Sequence, residues 1–265
     1  MKNVVCINWG TKYGAPYINR LYAMVARNIT PPFRFVAFTD TREQVRDEVE
    51  CFDLPPIPGG KLPVNTPGKW PKSRLWAPAL GDLEGNFLFI DLDVLITGSL
   101  DPFFEYGNPD QVILGLNAAK WPLKRGQTSI YRAPVGKLAP LQEMFAADPQ
   151  GTADRYRFEQ FFVAENAPGG IDYWPKAWMK HFRIECIPTL PLNFVQPPRL
   201  PLDCRVVIFA GGPNPPEAAN GQVNAQTPAM GPWAYIRHAL KQKQPLKRLQ
   251  DYGLPAPWIE EHWRE

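Results

Sequence analysis

Cysteine is scarce and scattered: Cys6, Cys51, Cys186 and Cys204 include no C-x-x-C pair. That argues against zinc-site spacing and against a disulfide framework, and leaves buried, reduced thiols as the reading. An excess of charge of one sign is missing as well. Lys and Arg total 29 against 26 Asp and Glu, a net charge of +3 with no basic block, so no nucleic-acid surface is indicated. No apolar stretch approaches the ~20 residues needed to cross a bilayer. The opening "MKNVVCINWG" has too short an apolar run for a secretion signal and leads directly into a first strand. The expectation is a cytoplasmic protein. What is abundant is proline, glycine and large aromatics. The 31 prolines and 20 glycines are too many for a helical bundle, while nine tryptophans and 15 phenylalanines need burial and exclude a disordered chain. A loop-rich α/β protein with one sizeable core follows.

The β-branched run "NVVCINW" (3–9) predicts a buried strand. "PYINRLYAMVARNI" (16–29) predicts a helix, with Pro16 in its first turn and Tyr17, Leu21, Met24 and Val25 at helical spacing. "FRFVAFTD" (33–40) reads as a second strand, and "TREQVRDEVE" (41–50) as a short polar helix capped by Thr41. This β-α-β-α order predicts parallel strands with helices on the faces, and ligands at the carboxyl ends of the strands. Residues 54–71 read as a Pro- and Gly-rich surface loop, "KSRLWAPAL" (72–80) as a helix broken near Pro78, "QVILGL" (111–116) as a strand. "PVGKLAPLQEMFAA" and "ADRYRFEQFFVAEN" (153–166) are amphipathic helix candidates, and "VVIFAGGPNPP" (206–216) is a late strand opening into a loop.

The stretch "FLFIDLDVLITGSLDPFF" (87–104) ends an apolar run in two acids, Asp91 and Asp93. In a continuing strand residues i and i+2 share a face, so the two carboxylates would repel each other unless a positive charge sat between them. A hard divalent cation supplies that charge and can bridge to substrate phosphates. The plainer alternative is a turn cap at Asp91 and a solvated Asp93.

The region "LGDLEGNFLFIDLDVLITGSLDPFF" resembles the D-x-D segment of nucleotide-sugar glycosyltransferases with the GT-A fold. It is most similar to bacterial enzymes related to glycosyltransferase family 8. "WGTKYGAPYINRLYAMVARN", "FVAFTD" and "VVIFAGGPNPPEA" extend the resemblance over most of the chain. It implies a Rossmann-like, mainly parallel mixed sheet flanked by helices, in one domain over 1–241 with a basic, aromatic tail (242–265) packed on it. It implies Mn²⁺ or Mg²⁺ with Asp93 as main ligand and Asp91 on the metal or the nucleotide ribose, and a nucleotide-sugar donor, a UDP-sugar foremost. Trp9, Gly10, Thr11, Tyr13 and Asp40 would receive base and ribose, Lys72 the phosphates, and Thr128 and Ser129 the donor sugar, with Gly211 also among the donor-binding residues. Glu159 and Gln160 would lie near the anomeric carbon. Without the resemblance, Glu159 and Gln160 read as the exposed face of a helix, and Lys72 and Arg74 as a solvated helix start.

The late motif departs from its relatives, which tend to read F-H-G-x-x-K-P. Here Ala210 stands at the histidine position and Asn214 at the lysine position, so a metal ligand and a phosphate contact are missing. Arg199 or Arg205 could supply another cation. The sequence therefore favours a sugar transferase, retaining by resemblance, that acts on a glycan, lipid-linked or protein acceptor. A nucleotide-sugar-binding protein without turnover, and a metal-dependent nucleotidyltransferase or phosphohydrolase, are the alternatives. In the tail, Trp258 and Trp263 among lysines read as packing residues, with at most peripheral membrane contact as the other reading.

Overall fold

Strand β1 (Lys2–Asn8) is buried from Val4 to Ile7, as expected of a strand covered on both faces. The computed structural model describes residues 1–120 and 123–265. After a loop, α1 (Ala15–Asn28) begins with Pro16 in its first turn and buries Ile18, Leu21, Met24 and Val25. Tyr17, read from the spacing as part of that apolar face, is half-buried, and Ile18 fills its place. Strand β2 (Phe33–Thr39) pairs in parallel with β1, and β3 (Glu50–Phe52) with β2.

Residues 41–49 form turns and irregular loop rather than the expected helix, and Glu50 already belongs to β3. Gln44 sits at φ +62, outside helical geometry. The side chain of Asn19 on α1 satisfies the loop instead: its amide donates to the Gln44 carbonyl at 2.9 Å, and its oxygen accepts from the Arg46 N–H at 3.0 Å. A short polar segment with no apolar face to bury cannot outcompete such bonds.

A 3₁₀ helix covers Trp70–Trp76 and ends at Ala77, which is extended ahead of Pro78. Strand β4 (Asn86–Ile90) stops before the two acids, so Asp91 and Asp93 do not share a strand face. Strand β5 (Leu95–Ile96) follows, then α2 (Asp101–Glu105), β6 (Val112–Leu116) and β7 (Gly126–Pro134). Next come α3 (Ala139–Ala147), α4 (Pro149–Tyr156), α5 (Glu159–Asn166) and β8 (Ile171–Tyr173). The single helix expected over 153–166 is thus two, broken where Arg157 adopts φ +62. The break redirects Glu159, which is buried rather than exposed.

The chain divides into two compact units, Met1–Leu92 with Ser99–Lys176, and Asp93–Gly98 with Ala177–Glu265. In the first, the described residues form a seven-stranded mixed sheet in the order β3-β2-β1-β4-β7-β6-β8. Neighbours β1 and β4 are parallel, with Val5 opposite Phe89, whereas β7 runs antiparallel to both β4 and β6. Strand order reverses at β1, since β2 lies on one side of it and β4 on the other. Such a reversal opens a crevice at the carboxyl ends, here after Asn8 and after Ile90. The core below is aromatic: Trp70 stacks on Phe145 at 5.1 Å, and Trp76 packs against Phe145 and Phe162.

In the second unit β10 (Val206–Ile208) lies between β9 (Met179–His181), parallel, and β5, antiparallel. Helices α6 (Pro215–Ala219), α7 (Pro232–Leu240), α8 (Pro245–Asp251) and α9 (Trp258–His262) complete it. A small core joins Tyr235, Ala239 and Tyr252. Within this unit Trp263 is buried, and the Trp258 indole N–H donates to the Pro198 carbonyl at 3.0 Å.

Candidate active site

At the carboxyl end of β1, Asn8 is almost fully buried and organises the loop that follows. Its amide donates to Thr39 Oγ1 at 3.1 Å and its oxygen accepts from the Gly14 N–H at 3.2 Å. Gly10 lies at φ +65, a conformation glycine adopts without Cβ strain, and its N–H donates to Asp40 Oδ2 at 2.7 Å. The structure therefore brings together the residues expected to receive a nucleoside: Trp9 half-buried, Thr11 and Asp40 exposed, and Tyr13 against Tyr17 at 4.7 Å. Sequence reading passed over Asn8. The only signal was an amide closing the apolar run Val4–Ile7.

The second group gathers around the end of β4. The Asp91 N–H donates to the Ser129 carbonyl at 2.8 Å, extending the β4–β7 pairing by one residue. Lys72, projecting from the 3₁₀ helix, places Nζ 2.6 Å from Asp91 Oδ1 and 2.8 Å from Oδ2. It also lies 4.0 Å from Glu159 Oε1. Glu159 opens α5 and is 4% exposed. Its Oε2 accepts from the Lys69 N–H at 2.8 Å, and its Oε1 from the Thr128 hydroxyl at 3.3 Å. Thr128 and Ser129 are buried on β7, and Gln160 is half-buried beside Glu159. Burial pushes the Tyr131 phenol up, and the negative charges of Asp91 and Glu159 push it further the same way. Neither bland alternative describes these residues: Lys72 is not solvated, and Glu159 is not on an exposed face. Arg74 is half-buried and donates to the Pro55 carbonyl.

The remaining expected residues belong to the second unit. Asp93 is half-buried in the turn after Leu92. Gly211 is exposed at φ +81, and its carbonyl accepts from Arg183 Nη1 at 3.3 Å. Asn214 stands immediately before α6, where its N–H donates to Glu217 Oε2 at 2.7 Å: a helix-capping contact occupies the position at which relatives carry lysine. The guanidinium of Arg205 lies over the Trp178 ring at 5.2 Å. His181, on β9, is buried and makes a backbone hydrogen bond at Ala210. Burial and then the Arg183 charge bring its pKa down to about 4, so the ring is neutral.

These residues do not fit a resident divalent cation. Both oxygens of Asp91 are engaged by the Lys72 ammonium, and the sequence offers Ala210 where an imidazole would complete the ligand set. Among the described residues, no three or more His, Cys, Asp or Glu side chains are placed to hold a metal.

No family model matches the sequence, and no curated protein matches it. Solved structures do. The galactosyltransferase LgtC, in complex with donor and acceptor sugar analogues, is 14% identical over 98% of this chain and 99% of its own, with a TM-score of 0.58. The glycosyltransferase GlyE of Streptococcus pneumoniae TIGR4 is 11% identical over 95% of this chain and 63% of its own, at 0.56. The bifunctional glycosyltransferase WbbM is 11% identical over 95% of this chain and 51% of its own, at 0.53. The chain has the GT-A fold of these glycosyltransferases.

Proposed function

We propose that this protein is a glycosyltransferase of the hexosyl type. It moves a sugar from a nucleoside-diphosphate donor, a UDP-sugar, to a glycan or lipid-linked acceptor, with retention of anomeric configuration. The observation that carries this reading is the Lys72–Asp91–Glu159 group, with Lys72 and Glu159 buried beside a half-buried Asp91, at the carboxyl end of β4, next to the strand-order reversal, in a chain with this fold. Buried ions are costly, and a small α/β protein gains little stability from them over an apolar core. Their position where such sheets bind ligands is the reason to read them as machinery.

In this proposal Trp9, Gly10, Thr11, Tyr13 and Asp40 hold base and ribose. Lys72 faces the phosphates and offers positive charge as the sugar–oxygen bond breaks and negative charge grows on the departing diphosphate. Thr128 and Ser129 lie under the sugar. Glu159, already fixed by the Lys69 N–H and the Thr128 hydroxyl, presents a carboxylate to the positive charge developing at the anomeric carbon, with Gln160 beside it. A carboxylate fixed in this way avoids reorganisation during the reaction.

Ala210, and Asn214 in its capping contact, favour a second reading, a nucleotide-sugar-binding protein without turnover. One assay separates them. A panel of nucleotide sugars is incubated with the protein and mixed acceptors, and nucleoside diphosphate release is followed with NMR of the product's anomeric proton. Release with a retained anomer is expected. Binding without release selects the second reading, and phosphate or pyrophosphate release selects a phosphohydrolase or nucleotidyltransferase.

A further inference from the structure

Lys72 has the geometry of an installed cation. Its ammonium contacts both oxygens of Asp91, lies 4.0 Å from Glu159 Oε1, and sits 5.2 Å from the centre of the Phe89 ring, an arrangement open to cation–π attraction. It neutralises Asp91 and stands close to a second carboxylate, the two tasks a divalent ion performs on a pair of acids. The 3₁₀ helix that carries it is anchored by Trp70 and Trp76 against Phe145 and Phe162, so the charge is part of the fold and does not exchange with solvent.

We infer that Lys72 takes the place of the divalent cation in this chain, as a covalently held positive charge on Asp91, and that donor binding and sugar transfer proceed without a metal. This rests on the reading of the protein as a nucleotide-sugar glycosyltransferase. It accounts together for features that otherwise stand apart. A site that binds no metal needs no imidazole at position 210, where the chain has Ala210. Asp91 remains because Lys72, buried at 7% exposure, needs a counter-charge.

The charge balance gives a second consequence. With Lys72 the group carries one positive and two carboxylate charges. Without it two carboxylates remain in a mostly buried pocket, and they must take up protons or a cation. Lys72→Met therefore converts a metal-indifferent site into a metal-binding one.

The test has two arms on the full chain. In the first, calorimetry measures uridine diphosphate binding to the wild type in EDTA and again in excess Mn²⁺; the dissociation constants should agree within ~2-fold, against the ~10–100-fold loss expected where a metal carries the binding. In the second, electron paramagnetic resonance follows Mn²⁺ added to nucleotide-free protein; the wild type should leave the ion free, and Lys72→Met should bind it ~10-fold or more tightly than wild type. Uridine diphosphate affinity that rises ~10-fold with Mn²⁺ overturns the inference and leaves the glycosyltransferase reading standing. Wild-type protein that captures Mn²⁺ unaided also overturns it. No nucleoside diphosphate binding in either buffer overturns the glycosyltransferase reading, and the inference with it. Should Lys72→Met fail to fold, the wild-type measurements decide alone.

Discussion

The two compact units bury ionisable side chains in opposite ways. In the first, Lys72 and Glu159 are buried beside a half-buried Asp91, with ammonium, backbone N–H and hydroxyl groups turned on the carboxylates. In the second, His181 is as buried as Lys72 but lies near a cation, Arg183, and has no acceptor or donor at Nδ1 among the described residues. The outcome follows from the company each keeps. The ammonium and carboxylates of the first unit lie beside opposite charge, whereas burial, reinforced by the Arg183 guanidinium and only partly opposed by Glu185, lowers the pKa of His181. The first arrangement pairs its charges inside the fold, whereas the second costs the protein stability whenever acid forces a proton on it.

The largest effect is expected at Glu159. Glu159→Gln keeps an oxygen to accept from the Lys69 N–H but removes the charge, so the group loses its electrostatic purpose with little loss of packing. Turnover of the nucleotide-sugar donor should fall ~100-fold or more, while nucleoside diphosphate affinity changes little, the pattern of an interaction made mainly in the transition state. Steady-state kinetics beside calorimetry would check it. Turnover within ~3-fold of wild type would show Glu159 to be an ordinary buried carboxylate, and would erase the contrast between the units.

For His181 the sign runs from the folded value of about 4 to an unfolded value near 6.5. Between them the unfolded state binds more protons, so stability is complete above pH ~6.5 and is lost as pH falls toward about 4. The loss attributable to this residue should be about 2–3 kcal/mol. Denaturant unfolding at several pH values, wild type against His181→Gln, isolates it from the carboxylates that titrate in the same range. If the two proteins lose stability in parallel, His181 is not what makes the second unit acid-sensitive.

Much of this was legible in the sequence, and the failures share a cause. Apolar runs such as "NVVCIN" and "NFLFI" announced β1 and β4 because a strand covered on both faces needs only hydrophobic content. The ends of those strands read as ligand sites, and the polar side chains of Asn8, Lys72 and Asp91 do lie there. What periodicity could not reveal were contacts between distant positions. Asn19 dismantles the helix expected over 41–50, the left-handed Arg157 splits the one expected over 153–166, and that split is what turns Glu159 inward. The pairing of Lys72 with Asp91 joins residues 19 positions apart. From spacing, the two acids admitted a metal or a simple turn cap; only the fold shows the lysine beside Asp91.

The smallest effect expected concerns how Glu159 is held. Gly126 begins β7 directly beneath α5, and a Cβ added there would meet Ala164 Cβ and Leu114 Cδ1 at 2.8 Å and the Gln160 carbonyl at 3.3 Å. Leu114 can rotate aside, but Ala164 and the helix backbone cannot, so Gly126→Ala has to lift α5 from the sheet. Overpacking of this kind costs about 1–2 kcal/mol, and the shifted helix start should weaken the Lys69–Glu159 and Thr128–Glu159 contacts enough to lower turnover several-fold. Adding Ala164→Gly removes the facing methyl group. The double variant should recover most of the turnover even though the second glycine costs helix stability of its own. Recovery of activity without recovery of melting temperature would show that the close approach at Gly126 positions the carboxylate. Activity unchanged in the single variant would show that Lys69 and Thr128 fix Glu159 by themselves.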